Sequence, residues 1–193
     1  MEDKRVRKTK KNLKATLISM LSDMPFEQIS ITELYMRADT SRITFYAHYN
    51  DKYALADDIF QDMIQAGTSI YENMQSENNP GKNVVTSYCN VLDSILKLYY
   101  ENFDFFRHTV PDKNPYLAFS FYNYILATVE MHTNKESKVL KLKYSAKKIA
   151  GFICYGMAGF INESHSDNTP LDVIHAEAKE LLGNVLRSDI LLH

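Results

Sequence analysis

Residues 30–55 read SITELYMRADTSRITFYAHYNDKYAL, and they begin with the signals of a short helix. Ser30 is a favoured N-cap residue, and Glu33 three positions later completes a capping-box pattern. The stretch therefore predicts a helix of about two turns that opens at Ser30 and ends near Ala38.

A second short helix follows in the same stretch. Asp39 begins a break of two residues, and Ser41 can cap a new helix that runs to about His48. Asp51 can cap a longer helix, which continues to about Met74. Two short helices joined by a turn form the helix-turn-helix pattern when a longer helix precedes and supports them.

The supporting helix is predicted over roughly residues 9–23. Pro25 ends it, because proline disfavours helical geometry in the residue before it. Its apolar residues share one face: Leu13, Leu17, Met20, Leu21 and Met24. No Gly or Pro lies between Pro25 and Gly67, so the helix that leaves this module has no flexible linker and should couple it mechanically to the rest of the chain.

The remaining sequence also has a helical pattern. Apolar residues recur at helical spacing, and 45% hydrophobic residues in a chain of 193 suffice for a sizeable core. The predicted fold is all-α with about nine helices, an N-terminal three-helix helix-turn-helix domain over residues 1–52 and a larger C-terminal helical bundle over residues 53–193. Loops are predicted at residues 76–82 and 111–115, and Pro170 should open the last helix.

Charge is distributed unevenly along the chain. Up to residue 14, seven basic residues stand against two acidic ones, which gives this segment a net charge of +5 and leaves −7 for the remainder of a chain whose total is −2. A basic N-terminus on an otherwise acidic protein is expected where that end meets a polyanion, although a solvated charged tail has the same composition.

The opening stretch resembles the tetracycline-repressor (TetR) family of bacterial transcriptional regulators. Ser30 and Ile31 stand where that family has its helix-opening Thr-Val pair, and Leu34 and Ala38 occupy its buried positions. Further residues are in register with the family's recognition helix and following turn: Ser41, Thr44, Tyr46, His48, Tyr49 and Lys52. This resemblance covers the first third of the chain.

Two residues depart from the family pattern. Asp39 stands where the family usually has Gly in the turn, but Asp tolerates left-handed backbone geometry, so the turn is expected to form. Ile43 stands where a small residue is common, and it could contact a thymine methyl group or pack inward. Farther along, GFICYGMAGFINES at residues 151–164 is similar to the C-terminal domain of a Firmicutes-type branch of the family.

Arg42 is the main candidate for reading bases. It lies in the first turn of the second short helix, and an arginine can bond a guanine bidentately. Hydroxyl, imidazole and ammonium groups at the end of the module suit phosphates, although Tyr46 and Tyr49 could instead be half-buried packing residues. The predicted DNA-binding set is Thr32, Ser41, Arg42, Ile43, Thr44, Tyr46, His48, Tyr49 and Lys52.

Aromatic residues are abundant in the second domain, within totals of 13 Tyr and 10 Phe. Helical stripes of such residues are usually core, whereas the family resemblance implies a ligand cavity between helices. The candidate lining residues are Tyr88, Tyr99, Phe103, Tyr122 and Tyr155.

Small residues recur every four positions in the penultimate helix: Ala146, Ala150, Cys154 and Ala158. Such a face permits close approach of another helix, and the resemblance implies that this helix and the last one form a four-helix dimer interface. Packing within one chain is the alternative. The candidate interface residues are Ala150, Ile153, Cys154, Met157, Ala158, Ile174, Leu181 and Val185.

Enzymatic and metal sites are not indicated by the sequence. It has no GxGxxG, P-loop or HExxH motif, and its six His and two Cys residues show no ligand spacing. We therefore expect no cofactor and no enzymatic activity. The sequence also has no signal-peptide pattern and no apolar run of membrane-spanning length, so a cytoplasmic location is expected.

The resemblance implies a homodimeric transcriptional regulator that binds a pseudopalindromic DNA operator. Repression is the default expectation, with release from the operator when an unidentified small molecule binds the second domain. One alternative is a regulator or adaptor whose C-terminal domain binds a protein partner. Another is a helical enzyme or binding protein that shares only the appearance of these regulators.

Overall fold

The computed structural model describes residues 4–136 and 142–188. Within these ranges the regular structure consists of nine α-helices and one 3₁₀ turn, with no β-strand, which confirms the predicted all-α class. The elements are α1 (Lys4–Met20), the 3₁₀ turn (Phe26–Gln28), α2 (Ile31–Arg37), α3 (Arg42–Tyr46), α4 (Lys52–Asn78), α5 (Val84–Glu101), α6 (Phe103–Phe106), α7 (Pro115–Glu136), α8 (Ala146–Ser166) and α9 (Leu171–Arg187).

The caps of the two short helices form as predicted. The backbone N–H of Glu33 donates to Ser30 Oγ at 3.1 Å, and the Ser30 hydroxyl donates to the Glu33 carboxylate at 2.9 Å. At the start of α3, the N–H of Thr44 donates to Ser41 Oγ at 3.0 Å. Each hydroxyl satisfies a backbone donor that has no partner within its helix.

The turn between α2 and α3 contains the left-handed residue that the sequence suggested. Asp39 has a φ of 47°. This conformation lets the N–H of Thr40 donate to the carbonyl of Tyr35 at 2.9 Å, which closes the end of α2. At the next break, the N–H of Ala54 donates to Asp51 Oδ1 at 2.7 Å, so the predicted cap of α4 also forms.

Several helix limits differ from the predicted ones. α1 begins at Lys4 rather than near residue 9, because lysine and arginine are good helix formers and the basic segment joins the helix. α4 extends into the predicted loop and ends at Asn78, two residues before Pro80. The helical stretch that carries Tyr99 and Phe103 is interrupted at Asn102, which separates α5 from α6.

The chain divides into two compact units. The first comprises Met1–Gln65 and Glu101–Tyr122, and the second comprises Ala66–Tyr100 and Asn123–His193. Helices α4 and α7 therefore contribute residues to both units. The first unit combines α1, α2 and α3 with the start of α4, with α6 and with the start of α7. The predicted boundary after residue 52, between a DNA-binding domain and a sensing and dimerisation domain, stays a prediction.

The core of the first unit is built from apolar residues that are distant in sequence. Leu34 and Ala38, which the family resemblance marked as buried, expose 0% and 2% of their surface. Side chains that are likewise fully buried include Leu13, Leu17, Met20, Phe26, Phe45, Phe60, Phe105 and Phe106. The rings of Phe60 and Phe105 meet edge to face with centroids 5.6 Å apart.

The second unit has an apolar core and a buried polar network. The core joins α5, α8 and α9 through Tyr88, Leu92, Leu96, Ile149, Ile153, Ala178, Leu182 and Leu186. In the network, the buried Ser87 Oγ lies 2.9 Å from Gln75 Nε2, 3.1 Å from the Tyr71 hydroxyl and 3.4 Å from His132 Nε2. Polar groups in a protein interior need such partners, because an unpaired one costs free energy.

His132 should make the stability of the second unit depend on pH. Burial lowers the pKa of its imidazole to about 4, and the charge of Lys135 acts in the same direction. An unfolded chain has a histidine pKa of about 6.5, so between pH 6.5 and 4 it binds more protons than the folded chain and stability falls as the pH falls.

We expect this group to remove about 3 kcal/mol of unfolding free energy between pH 7 and pH 4. Urea denaturation at a series of pH values measures the effect. His132→Phe keeps an aromatic ring against Tyr71 and Tyr88 but cannot titrate, so its stability should vary less over this window. Equal pH dependence in the two proteins would contradict the assignment.

Candidate nucleic-acid interface

Helix α3 has an inner and an outer face. Phe45 on α3 and Tyr49, three residues after its end, point inward and expose 0% and 5% of their surface. Ile43 and Tyr46 point outward with 83% and 45% exposed, and Arg42 beside them is also exposed. The question left open by the sequence is therefore answered for the single chain: Ile43 does not pack inward.

Arg42 and Tyr46 lie one helical turn apart on the outer face. The Arg42 guanidinium carbon is 5.7 Å from the centroid of the Tyr46 ring, within the range of a cation–π contact. At the start of the helix, the Ser41 and Thr44 hydroxyls lie 2.8 Å apart. Thr32 is exposed in the first turn of α2, and His48 after α3 is half-buried.

Lys52 is engaged within the chain. Its Nζ donates to the carbonyl oxygens of Phe26 at 2.9 Å, Glu27 at 2.8 Å and Ile29 at 3.0 Å. Burial lowers the pKa of this lysine, and the charge of Glu27 partly opposes that effect. Because three carbonyls use the three protons of the ammonium group, we withdraw Lys52 from the predicted phosphate contacts.

Tyr49 is also engaged within the chain. Its hydroxyl donates to Asp58 Oδ2 at 2.6 Å, and Lys14 Nζ lies 3.0 Å from the same oxygen. Burial opposes ionisation of Asp58 and is the largest single influence, but the bonds from Tyr49 and Lys14 and the charges of Lys14 and Lys10 outweigh it and lower the pKa of the carboxyl. We therefore withdraw Tyr49 from the predicted phosphate contacts as well.

The basic N-terminal segment forms the first turns of α1. Its exposed cationic residues are Lys4, Arg5, Arg7, Lys8 and Lys11. Lys14 differs from these because its ammonium group is paired with Asp58 and Asp62. The cationic side chains at the start of α1 are therefore exposed to solvent, whereas Lys14 farther along forms ion pairs within the chain.

Two asparagines that the sequence did not single out position the module. Asn12 on α1 donates to the carbonyl of Ala38 at 2.6 Å, at the end of α2. The buried Asn114 accepts the backbone N–H of Phe26 and donates to the carbonyl of His108 at 2.6 Å. Sequence offered no signal for either contact, because each joins segments that only the fold brings together.

Comparison with known proteins identifies the architecture. No protein-family model and no curated protein matches the chain. Solved structures do match: a protein described as a TetR-family transcriptional regulator from Syntrophomonas wolfei has a TM-score of 0.67 and 12% identity, with 93% of each chain covered. A protein with the same description from Shewanella sp. PV-4 has a TM-score of 0.63 and 12% identity over 96% of this chain and 98% of that one.

A third such protein, from Chloroflexus aurantiacus, has a TM-score of 0.54 and 11% identity over 97% of this chain and 94% of that one. This chain has the TetR fold. The low identities mean that the likeness concerns the fold, so the function has to be argued from the residues themselves.

The TetR fold distributes the predicted ligand-lining residues between the two units. Tyr88 is buried and donates to Thr133 Oγ1 at 2.8 Å, and Tyr99 is half-buried. Phe103 is 48% exposed on α6, and Tyr155 is 67% exposed on α8. Tyr122 on α7 is half-buried, and it belongs to the first unit together with Phe103. The ligand site stays a prediction.

The predicted dimer residues on α8 and α9 of this TetR fold differ in how far they are buried. Four of them are buried within the single chain: Ala150, Ile153, Cys154 and Ile174. Met157 and Val185 are half-buried, while Ala158 and Leu181 are exposed. Three members of the small-residue stripe of α8, Ala146, Ala150 and Cys154, are therefore buried in their own chain, as the alternative interpretation allowed, while Ala158 at its end is exposed.

A different face of α8 remains open to solvent. Phe152 and Tyr155 on this face are 56% and 67% exposed. Gly156 and Gly159 lie beside them, and a Cβ atom added at either position would meet no atom within 4 Å. These four residues, the open α8 face, recur at three- and four-residue spacing along one side of the helix.

The described ranges contain no group of three or more His, Cys, Asp and Glu side chains arranged to hold a metal ion. Among the helices of the same ranges, none combines the length and the apolar composition that crossing a membrane requires.

Lys52→Met tests whether this lysine is structural. The variant keeps the aliphatic chain but leaves three carbonyl oxygens without their donor, so we expect a loss of about 2 to 4 kcal/mol in unfolding free energy. Lys11→Met, at an exposed position of α1, should change it by less than about 0.5 kcal/mol. Denaturant unfolding measures both. A stable Lys52→Met protein whose DNA affinity alone is reduced would restore the phosphate assignment.

Proposed function

We propose that this chain is a DNA-binding transcriptional regulator that reads its operator with α3. The outer face of that helix carries the proposal. A five-residue helix anchored by the buried Phe45 holds a cationic, an apolar and a hydroxyl-bearing side chain in solvent at Arg42, Ile43 and Tyr46. A surface that served only solubility would favour polar residues, whereas DNA offers base edges and thymine methyl groups to the first two types and phosphates to the third.

The charge of α1 supports the same proposal. The segment up to residue 14 has a net charge of +5 in a chain with a total of −2. Exposed lysines and arginines on its first turns suit contacts with phosphates, which supply affinity without sequence preference. Thr32, Ser41, Thr44, Tyr46 and His48 remain proposed positioning contacts, because each is exposed or half-buried in the single chain.

Arg42→Ala tests the reading role of α3. The operator is first obtained by selecting bound duplexes from a random pool at a known salt concentration. The substitution should then weaken binding to the selected duplex by about 1 to 3 kcal/mol and relax the preference at one base position. Binding to random duplex should change less. An equal loss on both duplexes would make Arg42 a phosphate contact, and absence of any duplex preference in the unmodified protein would refute the proposed function.

The proposed regulator is a homodimer that joins through α8 and α9. The open α8 face supports this part of the proposal, because two exposed aromatic residues beside two glycines allow another helix to approach closely and bury apolar surface. The exposed Leu181 on α9 adds to the proposed interface. Dimers of this kind place two recognition helices on half-sites about 34 to 36 Å apart, one turn of DNA.

Gly156→Arg tests the dimer. The Cβ atom fits in the single chain, and arginine is a better helix former than glycine, so the fold should be retained while the close approach is blocked. Gly81→Arg is the matched control, since it makes the same change in open space in the loop after α4. Sedimentation should give twice the mass of one chain for the control and the mass of one chain for Gly156→Arg. A dimeric Gly156→Arg protein would exclude this face.

Repression with release by an effector completes the proposal. Helix α4 leads from the recognition module into the second unit without an interruption, so a change in that unit can shift the balance between DNA-binding and released states. The proposed setting is the cytoplasm. A small molecule that lowers operator affinity supports this scheme, and a protein that does so instead supports the adaptor alternative.

A further inference from the structure

We propose that Ile43 recognises thymine through its C5 methyl group, which makes this residue a specificity determinant beside Arg42. The inference rests on the proposed function, since it concerns which base the outer face of α3 reads. The observation behind it is the exposure of Ile43, at 83% the highest among the large exposed hydrophobic side chains of the described residues.

The exposure of Ile43 is imposed by the geometry of α3. Phe45 on the inner face of the helix is buried, and so is Tyr49 just after the helix ends. Ile43 lies two residues before Phe45, about 200° around the helix axis, so its side chain is directed away from the core. Ala47 follows one turn later and is also exposed. Arg42 lies against the Tyr46 ring, so the outer face presents an apolar position next to a cationic one.

The chemistry of Ile43 restricts what it can contact on DNA. Its side chain has no donor or acceptor, so it can bond neither a phosphate nor a polar base edge. Thymine alone among the four bases presents a methyl group in the major groove. A β-branched side chain has few rotamers in a helix, so little conformational freedom is lost when it meets that group.

The expected preference is modest and measurable. Burying one methyl group should strengthen binding about fourfold per half-site, or about 15-fold for a dimer that contacts two half-sites. Two changes made separately and together, one in the DNA and one in the protein, isolate this contact. Deoxyuridine pairs as thymidine does but lacks the methyl group, and Ile43→Ala removes most of the apolar side chain at an exposed position, where the effect on folding should be small.

The experiment uses the full-length chain and the duplex selected from the random pool. Each thymine in a half-site is replaced in turn by uracil, together with its symmetry mate, and affinities are measured for the unmodified protein, Ile43→Val and Ile43→Ala. One position should show the 15-fold loss with the unmodified protein, a smaller loss with Ile43→Val and almost none with Ile43→Ala. Arg42→Ala is the matched control, because it should leave this uracil effect in place.

The possible failures are distinguishable. If selection yields a preferred duplex but no uracil substitution weakens binding, or if Ile43→Ala keeps the full uracil effect, the thymine inference is overturned and the proposed function stands. If no duplex is preferred over random sequence, the proposed function fails and the inference that depends on it fails too.

Discussion

The 3₁₀ turn at Phe26–Gln28 imposes the constraint on which the first unit depends. Its first residue, Phe26, is fully buried, and backbone groups in such a position must find partners inside the protein. Lys52 at the start of α4 supplies donors to three carbonyls, and Asn114 before α7 accepts the N–H of Phe26. Segments far apart in sequence are therefore held at one short turn.

This arrangement divides the polar residues near α3 into two kinds. Lys52 and Tyr49, together with Lys14 and Asp58, bond to one another or to the backbone and orient the start of α4. The residues on the outer face of α3, Arg42, Ile43 and Tyr46, do not pack into the core and are exposed to solvent. The division gives the proposed regulator a rigid support and a separate reading surface, which a base-specific contact requires because small displacements cost binding energy.

The second unit combines a polar interior with an apolar exterior face. His132 and Ser87 belong to a buried network that is costly to charge, so acid should weaken this unit before it affects the carboxylate of Asp58, whose pKa is lowered. The open α8 face has the opposite character, with aromatic rings and glycines in solvent. Such a face is expected where another apolar surface covers it.

Local signals allowed the sequence to predict much of this protein. The caps at Ser30, Ser41 and Asp51 depend on side chains that bond to backbone within a few residues, and the turn at Asp39 depends on a residue type that tolerates left-handed geometry, so the short helices followed from sequence. The all-α class followed from the helical spacing of apolar residues along the chain. The sequence resemblance to the TetR family rests on residues 30–52, which contain the short helices.

Only the tertiary structure decided which polar residues bond within the chain and which face of α8 is open to solvent. The bonds of Lys52 and Tyr49 reach residues 9 to 26 positions away, and neither periodicity nor residue type distinguishes a lysine that caps a turn from one that meets a phosphate. In the same way, the spacing of Ala150 and Cys154 predicts a close helix contact but not whether the partner helix comes from the same chain. Burial is a property of the whole packed chain, so it has to be observed.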